Sequence, residues 1–204
     1  MSFELIRSVD PGLLARPGWL FDCDGTLAAT MKLHHRSWSH AINLQVTTPF
    51  EFDWAYFCSM GGMSTEDTCS RLRAQHGLVL DAGTIRRDTD AWLGEHLEIH
   101  LEGRPEVINL LHHVRAGGAK TAVASGGTRH HVGITLRKLQ LEPHFEAVVT
   151  CEDVVRSKPH PDLFLEAARR IGLKPADCVV IEDSPRGREA AEAAGMPCVM
   201  VEPR

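Results

Sequence analysis

The sequence of 204 residues lacks the features that mark several classes of protein. No apolar run is long enough to cross a bilayer, and no basic segment followed by an apolar stretch stands near the amino terminus. We therefore expect neither a membrane partner nor a secretion signal. The formal net charge of -5 has both signs interspersed, which leaves no basic face for a nucleic-acid partner. These absences favour a globular protein with one main domain and a small second module.

Cysteine is present, but without the spacing of a metal or redox motif. None of the six residues forms a CxxC pair, and most have apolar neighbours: Cys23, Cys58, Cys69, Cys151, Cys178 and Cys198. We interpret them as buried thiols in a reducing compartment, with a disulfide framework as the alternative. Together with the missing secretion signal, this predicts a cytoplasmic protein.

Short apolar runs alternate with helical patterns over much of the chain. Between the runs, apolar residues recur at the spacing of a helix face, as in the segments 107–114 and 163–171. The runs themselves are rich in β-branched residues and predict five buried strands, at residues 19–21, 121–124, 147–150, 179–181 and 198–201. This alternation predicts an α/β fold in which helices wrap a parallel sheet.

Prolines and glycines mark the ends of the predicted helices. Pro105, Pro161 and Pro185 stand where a first helical turn begins, and Ser184 is placed to cap the helix that starts at Pro185. Glycines follow the last periodic position of three helices, at Gly117, Gly172 and Gly195.

The stretch from residue 31 to residue 100 differs from the rest because it contains no strand-like run. Helical spacings dominate it, and it holds three of the four tryptophans, Trp38, Trp54 and Trp92, which we expect to form its core. We predict an α-helical cap of about four helices inserted into the main domain. The core domain then consists of residues 1–30 and 101–204, and the cap domain of residues 31–100.

Two carboxylates stand two residues apart where the first predicted strand ends. In an extended segment, residues i and i+2 lean to the same side, so Asp22 and Asp24 address one small object together. Two such charges repel, which suggests either a bound hard metal or a shared proton. Gly25 then allows a sharp turn. An exposed acidic turn is the alternative interpretation.

Reactive side chains also follow two other predicted strands. Ser125 ends the run at 121–124, and Glu182 and Asp183 end the run at 179–181. In parallel sheets, ligands bind at the carboxyl ends of the strands, so we expect these residues to meet Asp22. Lys158 supplies a cation in an extended segment, because Pro159 disfavours helical geometry before it. An ordinary surface lysine is the alternative.

These residues suit the attack of a carboxylate on a phosphate ester. Charges about 4 Å apart interact by about 4 kcal/mol at an effective dielectric of 20, so cations must intervene. We predict Asp22 as nucleophile and Asp24 as general acid and base, with an aspartyl phosphate between the two steps. Ser125, the Gly126 amide and Lys158 are the predicted phosphate-binding groups. The predicted Mg²⁺ ligands are Asp22, the backbone carbonyl of Asp24, Asp183 and, as a further candidate, Glu182.

The same residues carry a resemblance to a known family. Asp22-Cys23-Asp24-Gly25-Thr26, Ser125, Lys158-Pro159 and Glu182-Asp183-Ser184 resemble, in order, the four motifs of the haloacid dehalogenase-like (HAD) hydrolases. The similarity covers nearly the whole chain. The place of the inserted helices resembles the branch of β-phosphoglucomutase and small sugar phosphatases. This resemblance implies a Rossmann-like core, a helical cap that closes over the substrate, and Mg²⁺ dependence.

The cap residues are predicted from the resemblance alone. His34 resembles a histidine at the cap hinge of the mutase, and the loop 61–65, with Met63, Ser64 and Thr65, resembles its substrate-facing loop. Thr65 stands where the mutase carries a basic residue for a second phosphate. No lysine occurs between Lys32 and Lys120, which disfavours both a mutase and a phosphonate hydrolase with a cap lysine.

Other histidines and the strand-end serine give weaker signals. His96 and His100 are one helical turn apart but lack the HExxH pattern, so we interpret them as a packed or solvated pair. The doublets at 112–113 and 130–131 are interpreted as surface residues, with His130 or His131 near the phosphate as the alternative. Ser125 lacks the leading glycine of a GxSxG elbow, which disfavours a serine hydrolase.

The sequence therefore predicts a Mg²⁺-dependent phosphatase for a small phosphorylated metabolite, in particular a sugar phosphate, acting as a monomer. Two alternatives remain. One is a phosphotransferase like β-phosphoglucomutase, and the other is a phosphorylation-dependent signalling or binding module. A stable phospho-switch has no use for an efficient base, so Asp24 discriminates between the module and the enzyme.

Overall fold

The computed structural model describes residues 4–61 and 63–202. Five parallel strands form one sheet in the order β3-β2-β1-β4-β5. The strands are β1 Gly18–Phe21, β2 Lys120–Ala124, β3 Ala147–Val149, β4 Cys178–Glu182 and β5 Cys198–Met200. The central strand β1 lies between β2 and β4, so that Phe21 is opposite both Val123 and Ile181. The carboxyl ends of these three strands therefore meet at one edge of the sheet.

Helices cover both faces of the sheet and form the long insertion after β1. The helices before β1 are α1 Glu4–Ser8 and α2 Pro11–Leu14. The insertion contains α3 Met31–Gln45, α4 Trp54–Cys58, α5 Thr65–His76 and α6 Ala82–His100. The later helices are α7 Pro105–Ala116, α8 Arg129–Lys138, α9 Asp162–Arg170 and α10 Pro185–Ala193. Short 3₁₀ helices span Glu142–His144, Cys151–Asp153 and Pro175–Asp177.

The strand side chains point alternately into two apolar layers. Trp19 and Phe21 pack with the buried faces of α7 and α8 on one side of the sheet. Leu20 packs on the other side, against Phe164 of α9 and Ala190 of α10. Burial of each such apolar side chain away from water contributes roughly 1.5–3 kcal/mol to the free energy of folding. These two layers fix the sheet and hence the edge at which the polar side chains meet.

The inserted helices have an apolar cluster of their own and share a second one with the rest of the fold. Buried residues of α3, α5 and α6 and of the segments between them form the first cluster, which includes Ile42, Leu72 and Ile85. The second cluster joins Leu93 and Leu97 of α6 to residues outside the insertion, Ala28, Leu101 and Ile134 of α8. We call residues 31–100 the lid. Its foot is therefore fixed by apolar packing on α8.

The predicted fold class is confirmed: the chain is an α/β protein with a parallel five-stranded sheet and a helical insertion. All five predicted strands exist, although β4 also includes Cys178 and Glu182, β3 ends at Val149 and β5 at Met200. The division between core and cap at residues 31 and 100 stays a prediction, and residues 1–3 and 203–204 of the predicted core lie outside the described residues.

Two expectations about side chains need correction. Trp54 is 36% exposed and packs edge-on against His35, so it does not form part of the lid core, whereas Trp38 packs against that core. Pro161 directly precedes α9 instead of beginning it, because α9 starts at Asp162. Pro105 and Pro185 begin their helices as predicted.

The six cysteines are unpaired. Cys23, Cys69 and Cys178 are buried as predicted, whereas the prediction of burial is wrong for Cys58, Cys151 and Cys198, which are partly exposed. Among the residues that the structure describes, no helix combines the length and the apolar character needed to cross a bilayer.

Candidate active site

A cavity of about 810 Å³ separates the carboxyl edge of the sheet from the lid. Sites for small molecules commonly have volumes of this order. Its lining includes every predicted site residue: Asp22, Asp24, His34, Met63, Ser64, Thr65, Ser125, Gly126, Lys158, Glu182 and Asp183. The structure thus brings together at one cavity the residues that the sequence singled out, and their assigned roles stay predictions.

The turn after β1 places Asp22 at the bottom of the cavity. The Asp22 backbone N–H donates to the carbonyl of Ile181 at 3.0 Å, which holds the end of β1 against β4. Gly25 has φ +81, and a Cβ there would lie 2.1 Å from Asp183 Oδ2. A side chain at Gly25 is excluded for both reasons. The missing side chain therefore lets the turn approach the end of β4.

Lys158 connects the ends of β1 and β4. Its Nζ lies 2.6 Å from Asp22 Oδ1 and 2.5 Å from Glu182 Oε1, and the lysine is only 7% exposed. The ammonium also stands over the Phe164 ring, 5.2 Å from its centroid. Burial opposes the charge, but the two carboxylates outweigh it and raise the pKa of Lys158. The lysine is therefore a fixed cation of the site and not a mobile surface residue.

Glu182 is held by several donors at once. Its Oε2 accepts from the backbone N–H of Asp183 at 2.8 Å, and from the N–H and hydroxyl of Ser184 at 2.7 and 3.0 Å. A Cβ at Gly187 would lie 1.9 Å from Glu182 Cδ, so the glycine in the first turn of α10 makes room for this carboxylate. Glu182 thus orients Lys158 and the turn after β4, and a direct bond from it to a metal stays a prediction.

The carboxylates of Asp22, Glu182 and Asp183 form a group that fits a metal ion. Each offers an oxygen within 4.8 Å of the others, and all three residues are buried. Burial and the neighbouring carboxylates raise the pKa of Asp22 well above its ordinary value and that of Asp183 to about 7, although Lys158 opposes both shifts. One ammonium does not balance three buried carboxylates. Such a set of oxygen donors suits a hard divalent cation.

Asp24 lies apart from that carboxylate group and faces the lid. Its Oδ1 accepts from the Thr30 hydroxyl at 2.8 Å and lies 3.2 Å from His34 Nε2. Although burial opposes the shift, His34 and Thr30 lower the pKa of Asp24 to about 2, and Asp24 in turn raises the pKa of His34. The Asp24 side chain is therefore a carboxylate held by the start of the lid. The predicted role of its backbone carbonyl as a metal ligand stays a prediction.

Ser125 and the two glycines after it form the third wall of the cavity. Ser125 is 1% exposed, and its hydroxyl accepts from the Gly127 N–H at 3.0 Å. A Cβ at Gly127 would lie 3.1 Å from Asp24 Oδ2, so this loop passes close to the Asp24 side chain. Gly126 lines the cavity, and its role in phosphate binding stays a prediction.

The lid supplies the fourth wall. Met63, Ser64 and Thr65 line the cavity, and Ser64 also caps α5 because its hydroxyl accepts from the Asp67 N–H at 3.1 Å. Gly62, which belongs to the loop that resembles the mutase, lies outside the described residues. The lid residues thus face the same space as the carboxylates of the sheet.

Sequence reasoning missed Arg104. This residue is 3% exposed, and its guanidinium donates to the carbonyl of Gly25, to the carbonyl of Glu202 at 2.5 Å, and to Glu106 at 2.8 Å. The first of these bonds holds the turn between Asp24 and Thr26. No pattern in the sequence indicates it, because the partners are backbone carbonyls distant along the chain.

The interpretation of both residues of the doublet 130–131 as surface residues is wrong for His131. His131 is 8% exposed, lines the cavity, and has its Nδ1 3.9 Å from Oδ1 of Asp90 in the lid. The stated alternative, a place near the phosphate, therefore fits better. His96 stacks on Trp92 with ring centroids 3.8 Å apart, which agrees with a packed residue.

Comparison with known proteins supports the family resemblance. The family model of haloacid dehalogenase-like hydrolases matches residues 19–201. A fructose-1-phosphate phosphatase of Escherichia coli (strain K12) is 30% identical over 186 residues, which cover 90% of this chain and 95% of that protein. Hexitol phosphatase A of the same organism is 31% identical over 194 residues, covering 90% and 82% of the two chains.

A solved structure shares the fold. The crystal structure of CbbY from Rhodobacter sphaeroides in complex with phosphate superposes with a TM-score of 0.78 at 24% identity, covering 93% of this chain and 87% of CbbY. At that identity the likeness concerns the fold alone. The sequence relatives carry the evidence on the reaction class.

Proposed function

The chain belongs to the haloacid dehalogenase-like hydrolases and is a phosphoric monoester hydrolase, and from this premise we propose that it hydrolyses a small sugar phosphate through an aspartyl phosphate on Asp22. The observation that carries the proposal is the convergence of Asp22, Lys158 and Asp183 at the cavity under the lid. Nucleophile, cation and candidate metal ligand come from three separate segments of the chain.

In the first step a carboxylate oxygen of Asp22 attacks the phosphorus atom, and the bond from phosphorus to the sugar oxygen breaks. The Lys158 ammonium, 2.6 Å from Asp22, reduces the repulsion between the carboxylate and the anionic ester. Ser125 and the amides after it hold the phosphoryl oxygens. Asp24 gives a proton to the leaving sugar oxygen, which departs as a hydroxyl.

In the second step water attacks the aspartyl phosphate. Asp24 takes a proton from the water, the bond from phosphorus to Asp22 breaks, and phosphate leaves with Asp22 restored as a carboxylate. The pKa of Asp24, about 2, keeps this side chain deprotonated at neutral pH, the form that can accept a proton from water. An anionic ester bound beside Asp24 disfavours its negative charge and raises that pKa, which prepares the acid of the first step.

A magnesium ion completes the proposal. The carboxylates of Asp22 and Asp183, with Glu182 beside them and the Asp24 backbone carbonyl, are the groups that would hold it. When bound, Mg²⁺ neutralises charge on the phosphoryl oxygens and fixes their orientation. The support is the excess of buried carboxylates over cations and the typical use of a divalent metal in this family.

The two alternative functions have less support. A phosphotransferase like β-phosphoglucomutase needs a fixed cation for a second phosphate in the lid loop, and Thr65 stands at that position. A signalling module needs a phosphoaspartate that is hydrolysed slowly. Asp24 lines the same cavity as Asp22, where it could act as a base that speeds this hydrolysis, and this disfavours the module. The phosphatases among the relatives favour hydrolysis. We further propose that the enzyme works as a monomer in the cytoplasm, where its six unpaired cysteines stay reduced.

A panel of phosphate esters tests the function. We expect phosphate release from p-nitrophenyl phosphate and faster release from hexose or hexitol phosphates with MgCl₂, and loss of both activities with EDTA. Asp177→Asn is a matched control that keeps full activity, because Asp177 directly precedes the amino end of β4 and does not line the cavity. No turnover of any ester in the presence of Mg²⁺ contradicts the proposal. Transfer of the phosphoryl group to a second sugar, without release of phosphate, favours the mutase instead.

A further inference from the structure

Within the described part of the chain, four arginines and lysines line the cavity, and three of them are already paired. Lys158 bonds to Asp22 and Glu182. Arg86 of the lid lies 2.6 Å from Glu66, and Arg156 lies 3.1 Å from Asp162. Among the residues that the structure describes, Arg186 is the one arginine or lysine of the cavity wall without an ion pair or hydrogen bond.

Arg186 belongs to the same wall as the predicted chemistry. It lies in the first turn of α10, three residues after Asp183 at the end of β4. Ser184 caps this helix, since its hydroxyl accepts from the Gly187 N–H at 3.0 Å, and Pro185 begins it. The backbone that carries Arg186 is therefore fixed relative to Asp183.

Part of the Arg186 guanidinium is shielded from water without a partner. Its Nε is buried and finds no hydrogen-bond acceptor among the described residues, whereas the residue as a whole is half-buried and reaches the cavity. A buried donor without an acceptor destabilises the protein, so an acceptor that enters the cavity would gain affinity from this nitrogen. Planar guanidinium groups bind carboxylates and phosphates in two-point contacts. An anionic group that enters the cavity would supply the acceptor that this nitrogen lacks.

The reacting phosphoryl group already has partners without Arg186. Lys158, Ser125 and the amides of the loop after β2 face it in the proposed mechanism, and a bound metal ion would supply further positive charge. Among the described lid residues that line the cavity, Arg86 is the one arginine or lysine, and it is bonded to Glu66. The cavity-lining cation that is left for a second charge is Arg186, on the sheet side of the cavity.

We infer that Arg186 binds a second anionic group of the substrate, a carboxylate or a second phosphate, distinct from the phosphoryl group that is transferred. This inference rests on the proposed phosphatase function and narrows its substrate class to sugar phosphates with two anionic groups. Arg186 is then a specificity-determining residue that comes from the core and not from the lid.

Two pairs of esters test the inference with the intact enzyme and Mg²⁺. Sorbitol 6-phosphate and 6-phosphogluconate differ by a carboxylate, and fructose 1-phosphate and fructose 1,6-bisphosphate differ by a phosphate. The measured quantity is the ratio of kcat/KM for the doubly charged member to that for the singly charged member. The variants are Arg186→Gln, Arg186→Lys and the control Arg188→Gln, because Arg188 is exposed on the same helix and does not line the cavity.

We expect the wild-type ratio to be at least about 10 in one pair, which identifies the charge as carboxylate or phosphate. Arg186→Gln should lower this ratio about tenfold, mainly through KM, Arg186→Lys should keep part of it, and Arg188→Gln should leave it unchanged. A wild-type ratio of 1 or less in both pairs overturns the inference. So does an equal loss on both members in Arg186→Gln. Hydrolysis of p-nitrophenyl phosphate by the wild type separates this failure from a failure of the phosphatase proposal.

Discussion

The floor and the lid of the cavity use their side chains in different ways. The floor, formed by Asp22, Lys158, Glu182 and Asp183, is buried, and its lysine bonds two of the carboxylates directly. The lid loop with Met63, Ser64 and Thr65 is partly or fully exposed. Buried charges that are paired in this way keep one geometry, whereas exposed loop residues adapt at low cost. The contrast indicates that the reaction is set by the floor and the choice of substrate by the walls around it.

Removal of the charge of Asp22 should have the largest effect on activity. It therefore gives the clearest test of the difference between the floor and the lid of the cavity. Asp22→Asn should lower kcat/KM by at least about 10⁴-fold, the scale on which loss of a nucleophile acts. The variant should still fold, because Lys158 keeps its bond to Glu182. Steady-state kinetics and thermal unfolding measure the two effects. A loss below tenfold would show that the floor does not supply the nucleophile.

Asp24 connects the floor to the lid, so its replacement sharpens the comparison. Asp24→Asn should lower kcat by about 10²–10⁴-fold on a sugar phosphate, the scale of general acid and base catalysis. On p-nitrophenyl phosphate the loss in the first step should be smaller, because that leaving group departs without a proton. Burst and steady-state kinetics on both esters measure this difference. Equal losses on both in the first step would remove Asp24 from the role of acid.

A substitution in the lid should have a smaller effect and act on KM. Ser64→Ala should raise KM for the preferred ester about fivefold, the scale of one hydrogen bond, with little change in kcat. It also removes the cap of α5 and should cost about 1 kcal/mol of stability.

Ser64→Gly is the matched control, because glycine at the cap costs only a few tenths of a kcal/mol. We expect the same rise in KM in both variants. A rise in Ser64→Ala alone would mean that Ser64 acts through the helix and not through the substrate.

The smallest effect concerns stability in a part of the core away from the floor. Arg170, the Thr150 N–H and Arg129 outweigh burial and hold the pKa of Asp153 well below its ordinary value. Because the pKa of Asp153 is lower in the folded protein than in the unfolded chain, where it is about 3.9, the ionised carboxylate stabilises the fold at pH values above about 3.9. This stabilisation is lost as the pH falls from there toward the pKa of the folded state. Asp153→Asn should therefore lower the free energy of unfolding by about 1 kcal/mol at pH 7.

Urea unfolding at pH 7, 5 and 3.5 measures this contribution. The difference in free energy of unfolding between wild type and Asp153→Asn should be the same at pH 7 and pH 5 and smaller at pH 3.5. Glu152→Gln is the control, since Glu152 lies 3.8 Å from Arg129 and is half exposed, and its effect should stay below about 0.5 kcal/mol. A gap that widens in acid would contradict the assigned pKa shift.

The fold was predictable because its signals are local. The strands at 19–21 and 179–181 are continuous apolar runs, and the cap of α10 is visible as Ser184-Pro185. The convergence at the cavity followed from a general rule, that ligands bind at the carboxyl ends of parallel strands. Each of these features depends on residues close together in the sequence or on topology.

Features that depend on exact three-dimensional contacts were not predictable. Arg104 bonds to the carbonyls of Gly25 and Glu202, and backbone acceptors leave no trace in the side-chain pattern. Glu182 was expected beside a metal, yet its four protein donors were not foreseen. The burial of His131 also depends on the lid helix α6 packing against α8.

The apolar cluster at the foot of the lid has a consequence for protein engineering. Leu93 and Leu97 pack against Ala28, Leu101 and Ile134, three residues outside the inserted segment. A chimaera that exchanges residues 31–100 for those of a relative therefore brings a foreign surface onto these three positions. To transfer substrate preference between relatives, positions 28, 101 and 134 must be exchanged together with residues 31–100.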